Sequence, residues 1–324
     1  MCLNHCARLP TSSTGLRDFS TLHKKTQTEP TEVKSKSFNK VLVMEADFAG
    51  TLSKFCGNIF DIFRRYLFLV LSFGPVPQHI AFIMDGNRRF ARYRNLKLGK
   101  GHQVGFLALV SVLQYCYEMG VKYVTVYAFS IENFRRKPEE VQYVMDLMVE
   151  KLEGFLKVGS FLKKYGIRVN FLGNLDLLSS PLRAAAEKVT AATASNTRGV
   201  LFICVAYTST DEIVHAVQES YKEKLSEIQE KSSEQIVIAL ADLERHMYMA
   251  RCPDPDILVR TSGETRLSNF LLWQTTFCFL FAPDFLWPEN TLKYLVWTIL
   301  EYQRLYPYFR RQKQDHARNT LKFE

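Results

Sequence analysis

From Val76 onward, short apolar runs alternate with stretches whose apolar residues recur at three- and four-residue steps. The runs at 79–84, 123–129, 167–173, 200–207, 256–261 and 277–282 are the strand candidates. Helical periodicity fills roughly 102–119, 138–165, 180–194, 210–229, 236–248 and 290–306. Pro138 followed by Glu139 and Glu140 is a favourable helix opening, because Pro fits the first turn and acids favour the positive end of the dipole. Parallel strands need a crossover between them, and a helix is the usual one. The alternation therefore predicts an α/β fold, a single domain with a central, mostly parallel six-stranded sheet flanked by helices. Residues 221–235, rich in Lys, Glu, Gln and Ser, read as an exposed helix end and linker.

In such sheets ligands bind outside the carboxyl ends of the strands, so the residues just past each run carry the chemistry. After the first run comes Ile-Met-Asp-Gly-Asn-Arg-Arg-Phe-Ala-Arg, residues 83–92. Asp85 there can hold Mg²⁺, Gly86 allows close backbone approach, and Arg88 and Arg89 can neutralise phosphate oxygens. After the second comes Ser130-Ile131-Glu132-Asn133-Phe134-Arg135-Arg136, and the fifth ends in Arg260-Thr261 before Ser262-Gly263-Glu264-Thr265-Arg266-Leu267-Ser268-Asn269. Gly99-Lys100-Gly101-His102 precedes a helix. Singly each is ambiguous: Arg266 can be a surface ion pair with Glu264, His102 a helix cap and Ser130 a turn residue. Together they describe a site for two phosphorylated ligands.

Several other chemistries do not fit. The glycines at 99, 101 and 105 have the wrong spacing for a dinucleotide fingerprint, and Gly99-Lys100 is not a P-loop. There is no Asp-Asp-x-x-Asp, no nucleophile elbow and no zinc-binding spacing. The net charge is +9. Residues 1–40 carry net +4 and residues 301–324 net +3, which suits anionic lipid or solubility better than a nucleic-acid groove. No nucleic-acid partner is expected. The seven cysteines include no C-x-x-C, so a reducing compartment is expected, with Cys116 and Cys204 as buried thiols.

Four segments are expected. Residues 1–45 read as a disordered basic tail, and the Ser, Thr and Lys content of 1–40 with few acids leaves a transit peptide open. Residues 46–74 form an amphipathic helix that either packs on the domain or lies in a membrane interface. Its uninterrupted apolar part, Tyr66 to Phe73, is too short to span a bilayer, which needs about 20 residues. Residues 75–306 are the catalytic domain and 307–324 a basic C-terminal tail.

The motifs His79-Ile-Ala-Phe-Ile-Met-Asp-Gly-Asn-Arg-Arg-Phe-Ala, Gly101-His102, Tyr127-Ala-Phe-Ser-Ile-Glu-Asn-Phe and Arg260-Thr-Ser-Gly-Glu-Thr-Arg-Leu-Ser-Asn-Phe-Leu-Leu-Trp-Gln together resemble the cis-prenyltransferases. These are the undecaprenyl and dehydrodolichyl diphosphate synthases, and the similarity runs from about Pro75 to Tyr306. Gly-Val-Lys-Tyr-Val-Thr-Val-Tyr-Ala-Phe-Ser-Ile-Glu-Asn-Phe-Arg-Arg-Lys-Pro is most similar to the plant dehydrodolichyl diphosphate synthase and rubber-type catalytic subunits. The resemblance implies condensation of isopentenyl diphosphate onto an allylic diphosphate such as farnesyl diphosphate, with Mg²⁺, to a long-chain cis-polyprenyl diphosphate for dolichol or rubber-type polymer. By matching position it makes Asp85 the metal-linked acid. It puts Gly86, Asn87, Arg88, Arg89, His102 and Arg136 around the allylic diphosphate. Arg260, Arg266 and Ser268 then hold isopentenyl diphosphate, and Ser130 and Asn133 sit at the reacting centre. The alternatives are a non-catalytic partner of such a complex, which the intact Asp-Gly-Asn-Arg segment disfavours, and a membrane scaffold subunit.

Departures from the pattern are informative. A basic residue that bacterial members place four positions before the His falls on Leu98, with Lys97 or Lys100 as substitutes. A glutamate that joins Mg²⁺ binding in bacterial members is Phe279 here. The stretch through 138–165 to 167–173 is longer than in bacterial relatives of medium product length, which in this family implies a roomier tunnel. No glycine follows Gly263, so the C-terminal Arg-x-Gly motif of self-sufficient members is expected from a homologous non-catalytic subunit. Peripheral attachment to the cytosolic face of the endoplasmic reticulum is expected, with the plastid as alternative.

Overall fold

The computed structural model describes residues 59–97, 99–156, 161–231, 237–250 and 252–320. Contacts divide the chain into Met1–Ile62 and Phe63–Glu324. Of the first unit only 59–62 are described, as helix, so the expected 1–45 tail and the start of the 46–74 helix lie outside the described residues.

The second unit is built around six parallel strands: β1 (His79–Ile83), β2 (Tyr123–Ser130), β3 (Ile167–Leu172), β4 (Gly199–Tyr207), β5 (Ile257–Arg260) and β6 (Phe279–Phe281). Their order across the sheet is β3-β4-β2-β1-β5-β6, every pairing parallel. The chain moves to one side after β1 and to the other after β5. The order therefore reverses between these neighbours, where Ile83 lies opposite Arg260, and that is where the crevice of an open sheet opens.

Helix α1 is described over 59–71. Then come α2 (Asn87–Tyr93), α3 (Lys100–Met119), α4 (Pro138–Phe155), α5 (Phe161–Tyr165), α6 (Ser180–Thr193), α7 (Ser209–Lys231), α8 (Leu240–His246) and α9 (Leu292–Thr320). A parallel sheet is covered on both faces, so its central strands are buried along their length and mostly apolar rather than alternating. All five residues of β1 are buried. Phe82, Val124, Val126 and Val259 face a core shared with α3, α4, α6 and α9. Ala81, Ile83, Leu258 and Cys204 face a smaller core closed by Met249, Phe270 and Leu271. Each large side chain so buried contributes about 1.5–3 kcal/mol.

Three expectations shift. The helix expected over 138–165 is two, α4 and α5, and 157–160 between them lie outside the described residues. The 236–248 pattern yields only Leu240–His246. The helix expected to stop at 306 continues through Pro307 to Thr320, so most of the 307–324 basic segment is helical. Proline removes a backbone donor and normally stops a helix. Here Tyr302, Leu305, Tyr306 and Phe309 pack on the core from both sides of it, and Phe309 meets Phe279 with ring centroids 5.9 Å apart. Of α1, Phe68 and Leu71 are buried, whereas Phe63, Tyr66, Leu69 and Val70 are exposed, as is Phe73 just beyond it. Among the described residues no helix is long and apolar enough to cross a membrane. Cys116 and Cys204 are buried free thiols, as expected.

Candidate active site

Where β1 ends, the chain turns at Asp85-Gly86 into α2. Gly86 sits at φ 108°, a left-handed conformation open to glycine. The turn is pinned through the Asp85 carbonyl, which accepts from Trp287 N at 2.9 Å and from Thr261 Oγ1 at 2.7 Å. Helix α2 lies close on α3 because residue 105 has no side chain: a Cβ there would overlap the side-chain oxygen of Asn87. That Asn87 oxygen is buried with no hydrogen-bond partner among the described residues, while its amide donates to Met84 O at 3.2 Å.

The side chain of Asp85 bridges the switch point. One oxygen takes Arg260 at 2.9 Å and the other Arg89 at 3.3 Å. Partial burial works to raise its pKa. The Arg260 hydrogen bond and charge, Arg89 and the Gly86 N–H outweigh it and hold the carboxyl below its usual range. Arg260 is only 5% exposed. It also donates to Ser268 Oγ at 2.7 Å and to Arg266 O at 2.5 Å, while its Nε is buried without a partner among the described residues. The loop it grips holds Ser262, Ser268, Asn269 and Leu271 at positive φ. Such strain costs of order 1–3 kcal/mol per residue and persists only where the surroundings enforce it. Here they are Arg260, the Ser262 N to Phe285 O bond (2.8 Å) and the Thr210 N to Asn269 Oδ1 bond (3.1 Å).

Arg88, Arg136 and Arg266 are also held by carboxylates. Glu140 holds Arg136 at 3.0 Å and Arg88 at 3.3 Å. Glu264 pairs with Arg266 and lies 3.8 Å from Arg89, which also donates to Ser262 Oγ. His102 has a lowered pKa, first through burial and then through the nearby Arg136 charge, which favours the neutral imidazole. Ser130 and Asn133 form a reciprocal cap: Ser130 Oγ accepts from Glu132 N at 3.2 Å, and Ser130 N donates to Asn133 Oδ1 at 3.2 Å.

The structure brings the expected site residues to one cavity of about 670 Å³, including Asp85, His102, Asn133, Arg136, Arg260 and Arg266. Gly86, Asn87, Arg88, Arg89, Ser130 and Ser268 line it as well. The plainer readings also hold in part. Arg266 is mostly exposed and does pair with Glu264, and Ser130 does cap a turn. His102 makes no capping bond, since α3 starts after Gly99. Leu98 lies outside the described residues, and Lys100 turns to Gln103 at 2.8 Å. Arg92 lines the cavity instead. Phe279 is a buried core residue stacked on Phe281, so no carboxylate occupies that position. Arg92, Glu132, Glu264 and the anchoring Glu140 escaped sequence reasoning as site residues, because charged residues on a helix or loop read as solvated surface.

From this cationic mouth the cavity continues into apolar walls. The expected faces of β2 and α4 contribute Val126, Phe129, Val144, Met148 and Leu152, joined by Phe106 and Leu109 of α3. The arrangement can bind two polyanionic groups at one end and a hydrocarbon chain along the other.

Residues 83–310 match the family described as "Putative undecaprenyl diphosphate synthase". The chain is 52% identical over 277 residues to a dehydrodolichyl diphosphate synthase of Solanum lycopersicum, covering 80% of this chain and 96% of the relative. It is 53% identical over 264 residues to a rubber cis-polyprenyltransferase of Hevea brasiliensis, covering 78% of this chain and 92% of the relative. A dehydrodolichyl diphosphate synthase complex subunit of Homo sapiens is 39% identical over 258 residues, covering 79% and 76%. Among solved structures, lavandulyl diphosphate synthase from Lavandula x intermedia, in complex with dimethylallyl diphosphate, superimposes with a TM-score of 0.63 at 27% identity, covering 70% of this chain and 95% of that one. With its parallel sheet, cationic mouth and apolar cavity, this chain belongs to the cis-prenyltransferases, transferases of the undecaprenyl diphosphate synthase family.

Proposed function

We propose that this enzyme condenses isopentenyl diphosphate repeatedly onto an allylic diphosphate such as farnesyl diphosphate, giving a long-chain cis-polyprenyl diphosphate for dolichol or rubber-type polyisoprenoids. The observation that carries this reading is the continuity of the cationic mouth with the apolar cavity. Arg88, Arg89 and Arg136, with Gly86, Asn87 and His102, bind the allylic diphosphate. Arg260, Arg266 and Ser268 bind isopentenyl diphosphate, and Ser130 and Asn133 lie beside the reacting carbons. The allylic carbon–oxygen bond breaks as pyrophosphate leaves, the isopentenyl double bond attacks that carbon, and loss of a proton yields the new cis double bond. Each of these arginines is pre-positioned on a carboxylate, so diphosphate binding exchanges one anionic partner for another at preformed charge.

Asp85 fits a divalent metal. Its carboxylate is held ionised and stays partly accessible, and Mg²⁺ commonly takes one or two carboxylates together with substrate phosphates. When bound, Mg²⁺ supplies charge neutralisation for the departing pyrophosphate. Incubation with radiolabelled isopentenyl diphosphate, farnesyl diphosphate and Mg²⁺, followed by product sizing, tests the activity. A long-chain product is expected, and a product of only a few isoprene units refutes the long-chain reading.

We further propose a heteromer in which a homologous, catalytically degenerate subunit supplies the Arg-x-Gly motif. Support comes from the similarity to a human protein named as a complex subunit. Activity should rise on co-expression with such a subunit, and high activity of the strictly purified chain overturns this. The exposed apolar face of α1 and the basic segments support peripheral attachment of the complex to the cytosolic face of the endoplasmic reticulum. A fluorescent fusion found in plastids overturns that location.

A further inference from the structure

Helix α4 runs from the mouth along the cavity. Glu140, in its first turn, holds Arg88 and Arg136, and Val144, Met148, Lys151, Leu152 and Phe155 then line the wall at helical spacing. At the 1.5 Å rise of a helix, the eleven residues from Glu140 to Lys151 place that lysine roughly 16 Å beyond the phosphate-binding end. Lys151 is thus a charged residue in an otherwise apolar part of the wall. Its ammonium lies 5.6 Å from the centroid of the Phe106 ring on α3 and 2.7 Å from Glu150, a side chain 64% exposed to solvent. Phe106 in turn meets Phe155, with ring centroids 5.6 Å apart. Lys151 therefore reaches from the cavity wall to the surface. Its aliphatic stem covers apolar groups while its charge keeps to water, as long cationic side chains do. Helix α4 packs chiefly on α6 rather than on α3, which leaves the α3–α4 seam to be closed by side chains.

We propose that Lys151, seated over Phe106, is a side gate of the elongation cavity and a determinant of product length. A hydrocarbon chain that reaches this point displaces the ammonium from the Phe106 ring and leaves through the α3–α4 seam. This rests on the elongation reading above. An ammonium on an aromatic face at an exposed site is held only weakly, so a growing hydrocarbon chain can displace it.

The test compares wild type, Lys151→Leu and Lys151→Ala with farnesyl diphosphate, Mg²⁺ and radiolabelled isopentenyl diphosphate, in the partner complex if the chain alone is inactive. Single-condensation rate and the product-length distribution are both measured. Lys151→Leu, which fills the seam with a side chain that has no stake in solvent, should shift the distribution by two or more isoprene units. Lys151→Ala should broaden it. Both should leave the first condensation and both KM values unchanged, since the residue lies far from the mouth. A distribution identical to wild type in both variants overturns the gate, as does an equal fall in the first condensation, which marks a purely structural role. Absence of elongation by wild type in every setting indicts the activity reading instead.

Discussion

The two ends of the cavity are built on opposite principles. At the mouth every principal cation is tied to a named acid: Arg260 and Arg89 to Asp85, Arg88 and Arg136 to Glu140, and Arg266 to Glu264. Beyond it, the walls of α3, α4 and β2 offer apolar side chains with little to fix a ligand's orientation. Geometry at the mouth is set by directional bonds, whereas the inner cavity is set by what fails to pack. A diphosphate needs the first, and a chain that changes length at every cycle needs the second. A third region supplies a control. At the other end of β1, His79 is buried with Nδ1 2.6 Å from Pro253 O and Nε2 2.8 Å from Thr125 Oγ1, a polar cluster that lines no part of the cavity.

The largest effect should follow from breaking the mouth at its centre. Asp85→Asn keeps an acceptor for Arg260 but removes the charge, and turnover should fall by about 10²–10³, the scale of losing one preorganised electrostatic group. Near-wild-type turnover with Mg²⁺, alongside an unchanged circular dichroism spectrum, would show that the acid at the switch point is structural.

The control region should respond in stability. Burial, chiefly, lowers His79 from 6.5 to about 4. The unfolded chain therefore binds a proton that the folded chain resists. Stability is intact above pH 6.5 and is lost as pH falls toward 4, by roughly 3 kcal/mol. Urea unfolding at pH 7 and at pH 4, compared with His79→Gln, checks this. A variant with the same pH slope as wild type removes the assignment.

Smaller effects should separate the two ligands within the mouth. Arg266→Ala should raise the apparent KM for isopentenyl diphosphate about tenfold, the scale of one charge-assisted hydrogen bond, with little effect on the allylic primer. Arg89→Ala should do the reverse. Steady-state kinetics with each substrate varied decides it, and equal effects on both substrates would merge the two subsites. The smallest effect on the mouth belongs to Met148→Trp in the wall. Distant sites behave independently to within about twofold, so both KM values should hold while product length falls. If that variant raises KM as much as it shortens product, the division between mouth and wall dissolves.

The strand–helix alternation and the polar clusters that follow strand ends are legible in the chain before any folding is considered. Both are local: an apolar run such as 79–84 is legible because a doubly covered parallel strand is apolar throughout, and Asp85-Gly86-Asn87 is conspicuous as polarity placed directly after it. The seats of Gly86, Asp85 and Arg260 were legible on that ground. The family motifs tied them to one reaction, in agreement with the similarity found over residues 83–310. Which acid holds which base follows from how distant segments pack. Glu140 reads as a favourable first-turn residue of α4, and nothing local reveals that it also anchors Arg88 from α2, 52 residues away. The same holds for α9, which local rules end at Pro307 and which the packing of Phe309 on Phe279 carries onward. Lys151 looks in sequence like any exposed lysine on an amphipathic helix, and becomes part of a cavity wall only because α3 and α4 leave a seam between them. Propensity and capping act over a few residues, whereas pairing and packing depend on which surfaces the fold brings together.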